Sequence, residues 1–270
     1  MLATRRADDA TLFKNTVAAA VLGLAAILLA PQLGGGAAGE RDVPWLLLSG
    51  ALGLGVGDWL YFLALAHIGV ARTQILIQLV PVGTAMGAIV VYGEQLGALQ
   101  WCGALVVIAG GLLVAARRPE RRHADAAGIA AALIAVLLYV AANLMLRHGV
   151  GTTGVFTAGA WRLVGGACGL LLARTLRGQL RPALRALAER GSWRHFLLPT
   201  CLGTMVGLSF YAGGFKWAKS GVASSLSAAM PLFSIPLATL FLHERPGWRG
   251  WLGALLVLCG VTLIGLAAGT

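Results

Sequence analysis

Two ionisable residues, Asp58 and Arg162, stand inside long apolar runs of the sequence. Asp58 lies between Gly57 and Trp59, and Arg162 lies well inside the run that opens near Thr153. A charged side chain at the middle of a hydrocarbon layer costs about 2.5–3.5 kcal/mol on insertion scales, so such residues face a cavity or a partner. Asp58 could contact a substrate or carry a coupling proton. The plainer alternative ties it to a neighbouring polar group such as Gln74 or Asn143. Arg162, with Lys14 in the equivalent place at the head of the first run, could bind a carboxylate or another anion. Snorkelling to a lipid headgroup is the alternative, and it suits Lys14 better than Arg162. Trp59, Tyr61, Gln74, Gln78, Tyr139, Asn143, Trp161 and Tyr211 could complete a small-molecule pocket of apolar walls with a few polar groups.

Pro81 and Pro231 each interrupt an apolar run, with Pro236 following in the second. Proline frees a carbonyl and bends a helix, which makes the pair candidate hinges or else static kinks that shape packing. Glu94 and Glu244 fall where one run ends and the next begins. There a carboxylate gains about 0.3–1 kcal/mol from a helix N-terminus, a capping role favoured over ion coupling. The sequence carries no Ser/His pair, metal-ligand cluster or paired carboxylates at useful spacing, and no phosphate-binding loop. It therefore reads as a non-enzyme without metal or cofactor. The cysteines Cys102, Cys168, Cys201 and Cys259 sit in apolar runs as inert thiols, not as a disulfide framework.

These residues need membrane helices to position them. Of 270 residues, 58% are hydrophobic and 11% are charged, and the mean hydropathy is +0.81. A soluble domain carries about 25% charged residues. About 20 apolar residues cross a bilayer core, and nine runs approach or reach that length: 15–31, 45–67, 70–92, 98–116, 125–146, 153–173, 196–217, 221–242 and 248–268. The net charge of +11 sits in short segments between runs, so it points to the positive-inside bias and not to nucleic acid. Segment 174–194 has Leu176, Leu180, Leu184 and Leu187 at helical spacing with Arg177, Arg181 and Arg185 offset from them. That pattern suits a helix lying at a headgroup surface, or a solvated loop.

The runs repeat. Pro81, Glu94, Gly97, Trp101, Gly103 and Gly110 recur 150 residues later as Pro231, Glu244, Gly247, Trp251, Gly253 and Gly260. An internal repeat sets the architecture before any local reading. The expected fold is an all-α polytopic membrane protein of two inverted five-helix repeats. Nine spans are seen where ten are expected, with the first helix of the first copy missing. The first repeat covers 1–116, a basic linker 117–124, and the second repeat 125–270. An odd number of helices per copy inverts one copy relative to the other. The basic connections on the N-terminal side mark the cytoplasm. Gly53/Gly57, Gly203/Gly207, Gly83/Gly87 and Gly165/Gly169 are small-residue pairs that would let helices approach closely.

The chain resembles the EamA-like group of the drug/metabolite transporter superfamily. The resemblance rests on Gly93-Glu94-Gln95-Leu96 followed by Gln100-Trp101-Cys102-Gly103-Ala104-Leu105. Its second copy is His243-Glu244-Arg245-Pro246 followed by Trp251-Leu252-Gly253-Ala254-Leu255, and Asp58-Trp59-Leu60-Tyr61 precedes the third span. It implies ten helices around a central cavity that exports or exchanges small metabolites. The leading expectation is a secondary exporter of amino acids or related compounds, working by alternating access in the inner (plasma) membrane. Its partners are then the bilayer, a small-molecule substrate and a coupling proton, in a monomer or homodimer. A non-transporting membrane scaffold is the runner-up; it has little need of Asp58 and Arg162.

Overall fold

The structure is a computed structural model that describes residue 12 and residues 15–24, 27–28, 39–115, 125–151, 153–176, 178, 204, 206–227, 240 and 248–268. Lys14, Pro231, Pro236, Glu244, Cys201, the linker 117–124 and most of 174–194 lie outside these residues. All regular structure among the described residues is helical. Helix α1 is Asn15–Leu24, and α2 is Asp42–Gly50. A π-helical stretch, Ala51–Gly57, joins α2 to α3, Asp58–Ile77. Then come α4 (Leu79–Tyr92), α5 (Ala98–Ala115), α6 (Ala126–Gly149) and α7 (Val155–Leu176). The last three are α8 (Gly207–Trp217), α9 (Ser220–Ser227) and α10 (Trp248–Ala268).

Local sequence explains the breaks. Gly69 divides α3 with φ 80° and ψ 169°, a conformation open in practice only to glycine. The expected join between the second and third spans falls there. A turn at Gln78 separates α3 from α4, three residues before Pro81. The pyrrolidine ring clashes with the carbonyl four residues back, so Pro81 sets the break on its N-terminal side. Gly93, at φ 63°, ends α4; its N–H donates to Ile89 O at 3.1 Å and that of Glu94 to Ala88 O at 3.3 Å. This left-handed residue satisfies carbonyls that the helix end leaves open.

Four stretches are long and apolar enough to cross a membrane among the described residues: Asp42–Gly69, Arg72–Tyr92, Ala126–Gly149 and Val155–Thr175. Shorter apolar helices are Asn15–Leu24, Ala98–Leu113 and Trp248–Ile264. Val90, Leu137 and Phe210 are among the large apolar side chains left exposed, a surface suited to lipid tails. Trp217 and Trp248 are exposed at helix ends, where indole rings favour the headgroup level.

The chain packs as two compact units, Met1–Leu63 with Ala141–Trp217, and Ala64–Val140 with Ala218–Thr270. Each unit takes helices from both of the expected copies, 1–116 and 125–270, so packing groups the chain differently from its order in sequence. In the first unit α2 and the π segment lie on α7. Gly50 abuts the Arg162 carbonyl, Gly165 abuts the Leu47 carbonyl, and Gly169 meets Ala51. The buried Ser49 hydroxyl donates to Ala142 O at 2.7 Å. Ala18, Leu22, Ala160 and Leu163 form an apolar cluster beside this seam.

In the second unit α5 and α10, which carry the positions that match at an offset of 150, pack together. A Cβ on Gly103 would lie 2.8 Å from Gly260 O, and one on Gly110 would lie 2.6 Å from Gly253 O. Residues 103 and 253 are equivalent in the two copies, as are 110 and 260. Helices α5 and α10 therefore run antiparallel and exchange reciprocal contacts, as a two-fold relation requires.

Also within the second unit, His67 Nδ1–H donates to Asp125 Oδ2 at 2.6 Å, and the Ala127 N–H donates to Asp125 Oδ1 at 3.1 Å. The His67 bond, then the Ala127 bond, hold the Asp125 carboxyl below the usual carboxylate range. A depressed carboxylate stabilises the folded state above its unfolded pKa of about 3.9 and loses that effect as pH falls through the folded value. Asp125→Asn should therefore lower the melting temperature modestly at pH 7. The gap to the parent protein should close as pH drops below about 4. Melting curves of both proteins in detergent across pH 3–8 check this; a gap constant with pH would refute it.

Candidate functional site

The first unit gathers four of the sequence-predicted polar residues. Arg162 lies on α7 and is 3% exposed. Its Cζ sits 5.4 Å from the centre of the Tyr211 ring on α8, a cation–π contact worth about 0.5–2 kcal/mol. The Tyr211 hydroxyl donates to Asn143 Oδ1 of α6 at 2.6 Å. Asp58 stands at the first turn of α3, directly after the π segment. Gly53 of the π segment borders the guanidinium, since a Cβ there would lie 3.8 Å from Arg162 Nη2.

The guanidinium is incompletely satisfied. Arg162 Nε and Nη1 are buried and have no acceptor among the described residues. An unmet donor in a buried site costs about 1–3 kcal/mol, more when charged. Asn15 shows the converse. It is 0% exposed, its Nδ2 donates to Leu54 O at 3.2 Å, and its Oδ1 has no donor among the described residues. The bond to a carbonyl fixes which end of the amide points where, because only the NH2 end can donate. Sequence reasoning used Asn15 only as the start of a span. The available signal was a polar amide at the head of an apolar run.

The π segment helps to build this place. A π-helix is wider than an α-helix and recurs at functional sites. Here Gly53, Gly55 and Gly57 are all buried within it. Gly53 meets the Ala142 methyl and Gly55 meets the Gly166 carbonyl and Leu170 N, so the α7 backbone comes close to the segment that holds Leu54 and leads into Asp58.

The remaining candidates are placed as follows. Trp161 adjoins Arg162 on α7 and is half-buried. Trp59 packs on Leu12, Ala167 and Leu170. Tyr61 stacks edge-on with Phe62 at 5.5 Å. Gln74, Gln78 and Tyr139 belong to the second unit, where the Gln78 amide lies against Gly111. Pro81 is buried near the start of α4. Arg147 and Lys216 of the first unit direct donors to backbone carbonyls, Arg147 to Phe215 O at 2.5 Å and Lys216 to Thr153 O at 2.8 Å.

Glu94 holds a helix other than the neighbouring one. Its Oε2 accepts from Ser220 N at 2.7 Å and its Oε1 from the Ser220 hydroxyl at 2.8 Å. It thus meets the N-terminus of α9. The start of α5, adjacent in sequence, is met by Gln100, whose Oε1 accepts from Gly97 N at 3.1 Å. Among the described residues no group of three or more His, Cys, Asp or Glu could hold a metal ion.

The EamA-like transporter family model matches this chain twice, over residues 5–116 and 126–266. A "Probable terminal-alkyne amino-acid exporter" of Streptantibioticus cattleyicolor is 27% identical over 260 residues, covering 94% of this chain and 82% of that protein. An "Uncharacterized transporter YdfC" of Bacillus subtilis is 35% identical over 113 residues, covering 40% of this chain and 34% of that protein. A solved crystal structure, of a protein described no further, superimposes with a TM-score of 0.75 at 18% identity, covering 99% of this chain and 92% of the other; that likeness concerns the fold alone. With a twofold family match over nearly its whole length and apolar helices in the matching places, the chain is a multi-pass membrane transporter of small molecules and belongs to the EamA-like transporter family.

Proposed function

We propose that the protein is a secondary transporter that exports amino acids or related small organic compounds through a central cavity by alternating access, in the inner (plasma) membrane. The observation that carries this reading is the buried Arg162 under the ring of Tyr211, itself bonded to Asn143, within apolar helices. Ionisable groups in such helices are costly and mark substrate or ion pathways. A relative named as an amino-acid exporter supports the substrate class. Pro81, beside the break at Gln78, serves as a hinge, and Pro231 takes that role in the second copy. Asp58 carries the coupling proton.

The test is efflux from proteoliposomes. Vesicles containing the purified protein are loaded with amino acids, organic acids, amines and nucleosides, and the compounds released are identified by mass spectrometry. Amino acids should leave faster than from protein-free vesicles. Asp58→Asn should reduce efflux and flatten its dependence on pH. No protein-dependent release of any compound would refute transport, and an unchanged pH profile in Asp58→Asn would remove the proton role.

A further inference from the structure

The first unit contains two kinds of unmet polar demand in one neighbourhood. Among the described residues Arg162 Nε and Nη1, positively charged N–H donors, have no acceptor, and Asn15 Oδ1, an acceptor, has no donor. Both side chains are more than nine-tenths buried. They border consecutive residues of the π segment: Arg162 Nη2 lies beside Gly53, and Asn15 Nδ2 bonds Leu54 O. Asn15 also lies against Gly166, one helical turn from Arg162 on the same face of α7. The two groups do not satisfy one another, although donor and acceptor are complementary in kind.

We propose that Arg162 and Asn15 together receive the charged end of an α-amino acid, Arg162 taking the carboxylate and Asn15 Oδ1 accepting from the ammonium. This rests on the transport reading above and names the chemical feature by which the substrate is recognised. A carboxylate alone would answer Arg162 and leave Asn15 Oδ1 unmet. An amine alone would do the reverse and would face the guanidinium charge. A zwitterion answers both at once and adds no net charge to the membrane interior. Tyr211 covers the guanidinium with its ring and is held there by Asn143, so it orients Arg162 without consuming the Nε and Nη1 donors. Sites built to bond a polar group reject analogues that lack it, because their own buried groups are then left unpaired.

The test uses three matched pools in proteoliposomes of the full chain: amino acids, the corresponding amino-acid amides, and the corresponding carboxylic acids without the amino group. The expected result is efflux of members of the first pool, with release of the other two lower by roughly 100-fold or more. Amides or des-amino acids leaving as fast as the amino acids would overturn the proposal. Arg162→Lys should lose most efflux of the first pool while retaining a folded protein, since the charge stays but the planar set of donors is gone. Asn15→Gln, which keeps both the amide acceptor and the amide donor, should transport better than Asn15→Leu. Equal rates for these two variants would overturn the role of Asn15. If no pool is released, the melting temperature of the purified parent protein with each pool decides the matter independently of transport. A rise with amino acids alone supports the site although the transport reading has failed. No rise with any pool, or an equal rise with sodium chloride, overturns it.

Discussion

Valine at Gly50 or at Gly165 is expected to leave little monodisperse protein after extraction in detergent. A Cβ at Gly50 would overlap the Arg162 carbonyl, and one at Gly165 would overlap the Leu47 carbonyl. Both obstacles are backbone atoms of packed helices, so no rotamer change relieves them. Overpacking a core costs about 1–3 kcal/mol when side chains can give, and more when a backbone must move. Without a water-driven hydrophobic force between membrane helices, close backbone approach supplies much of their association. Pushing α2 away from α7 also shifts the backbone that carries Arg162. The control is Gly23→Ala on α1. Nothing lies within 4 Å of a Cβ there, and a Gly→Ala change at a compatible position stabilises by about 0.4–1 kcal/mol, chiefly by restricting the unfolded chain. It should leave yield and melting temperature unchanged or raised. Size-exclusion profiles and melting curves of the three variants decide; a Gly50→Val protein that elutes and melts like the parent would show that the seam can yield.

The repeat was the most legible feature, because an offset of 150 residues is a property of sequence alone. Its physical consequence, Gly103 against Gly260 and Gly110 against Gly253, follows once two equivalent helices face each other. Gly165 and Gly169 were also readable as a close-contact pair, and they meet Leu47 and Ala51. The pairing of Gly53 with Gly57 was a reading at α-helical spacing, and the π segment changes that spacing. Gly55, which stands in neither of these pairs, meets the α7 backbone at Gly166 and Leu170. Period 3.6 carries no sign of a local change to a wider helix. Arg162 and Asp58 were conspicuous because charge is rare in apolar runs. Asn15 was not, since an uncharged amide at a span boundary costs little by composition, and only burial reveals its unmet oxygen. The cap on α5 is written locally, as Gly97 and Gln100 at the spacing of a capping interaction. The partner of Glu94 lies 126 residues away, a distance that no local pattern encodes.

Glu94→Ala is expected to lower the melting temperature clearly, and this separates its two readings. Ser220 is 0% exposed, and both its N–H and its hydroxyl donate to the Glu94 carboxylate. Hydrogen bonds to a charged acceptor contribute about 1.5–3 kcal/mol each, and removing the acceptor leaves buried donors unmet. The carboxylate also sits at the positive end of α9, an arrangement favoured by the helix dipole. Glu94→Gln keeps one oxygen as an acceptor but turns an NH2 group toward the second donor, so its loss should approach that of alanine. Ser220→Ala removes only the hydroxyl bond and should cost less than Glu94→Ala. In the double variant the two losses should not add, because they delete one shared interaction. A residue that served ion coupling instead would behave otherwise. Glu94→Gln would then melt like the parent protein, and the pH dependence of efflux would change. Melting curves and efflux measured on the same preparations distinguish a carboxylate that holds α9 in place from one that titrates during transport.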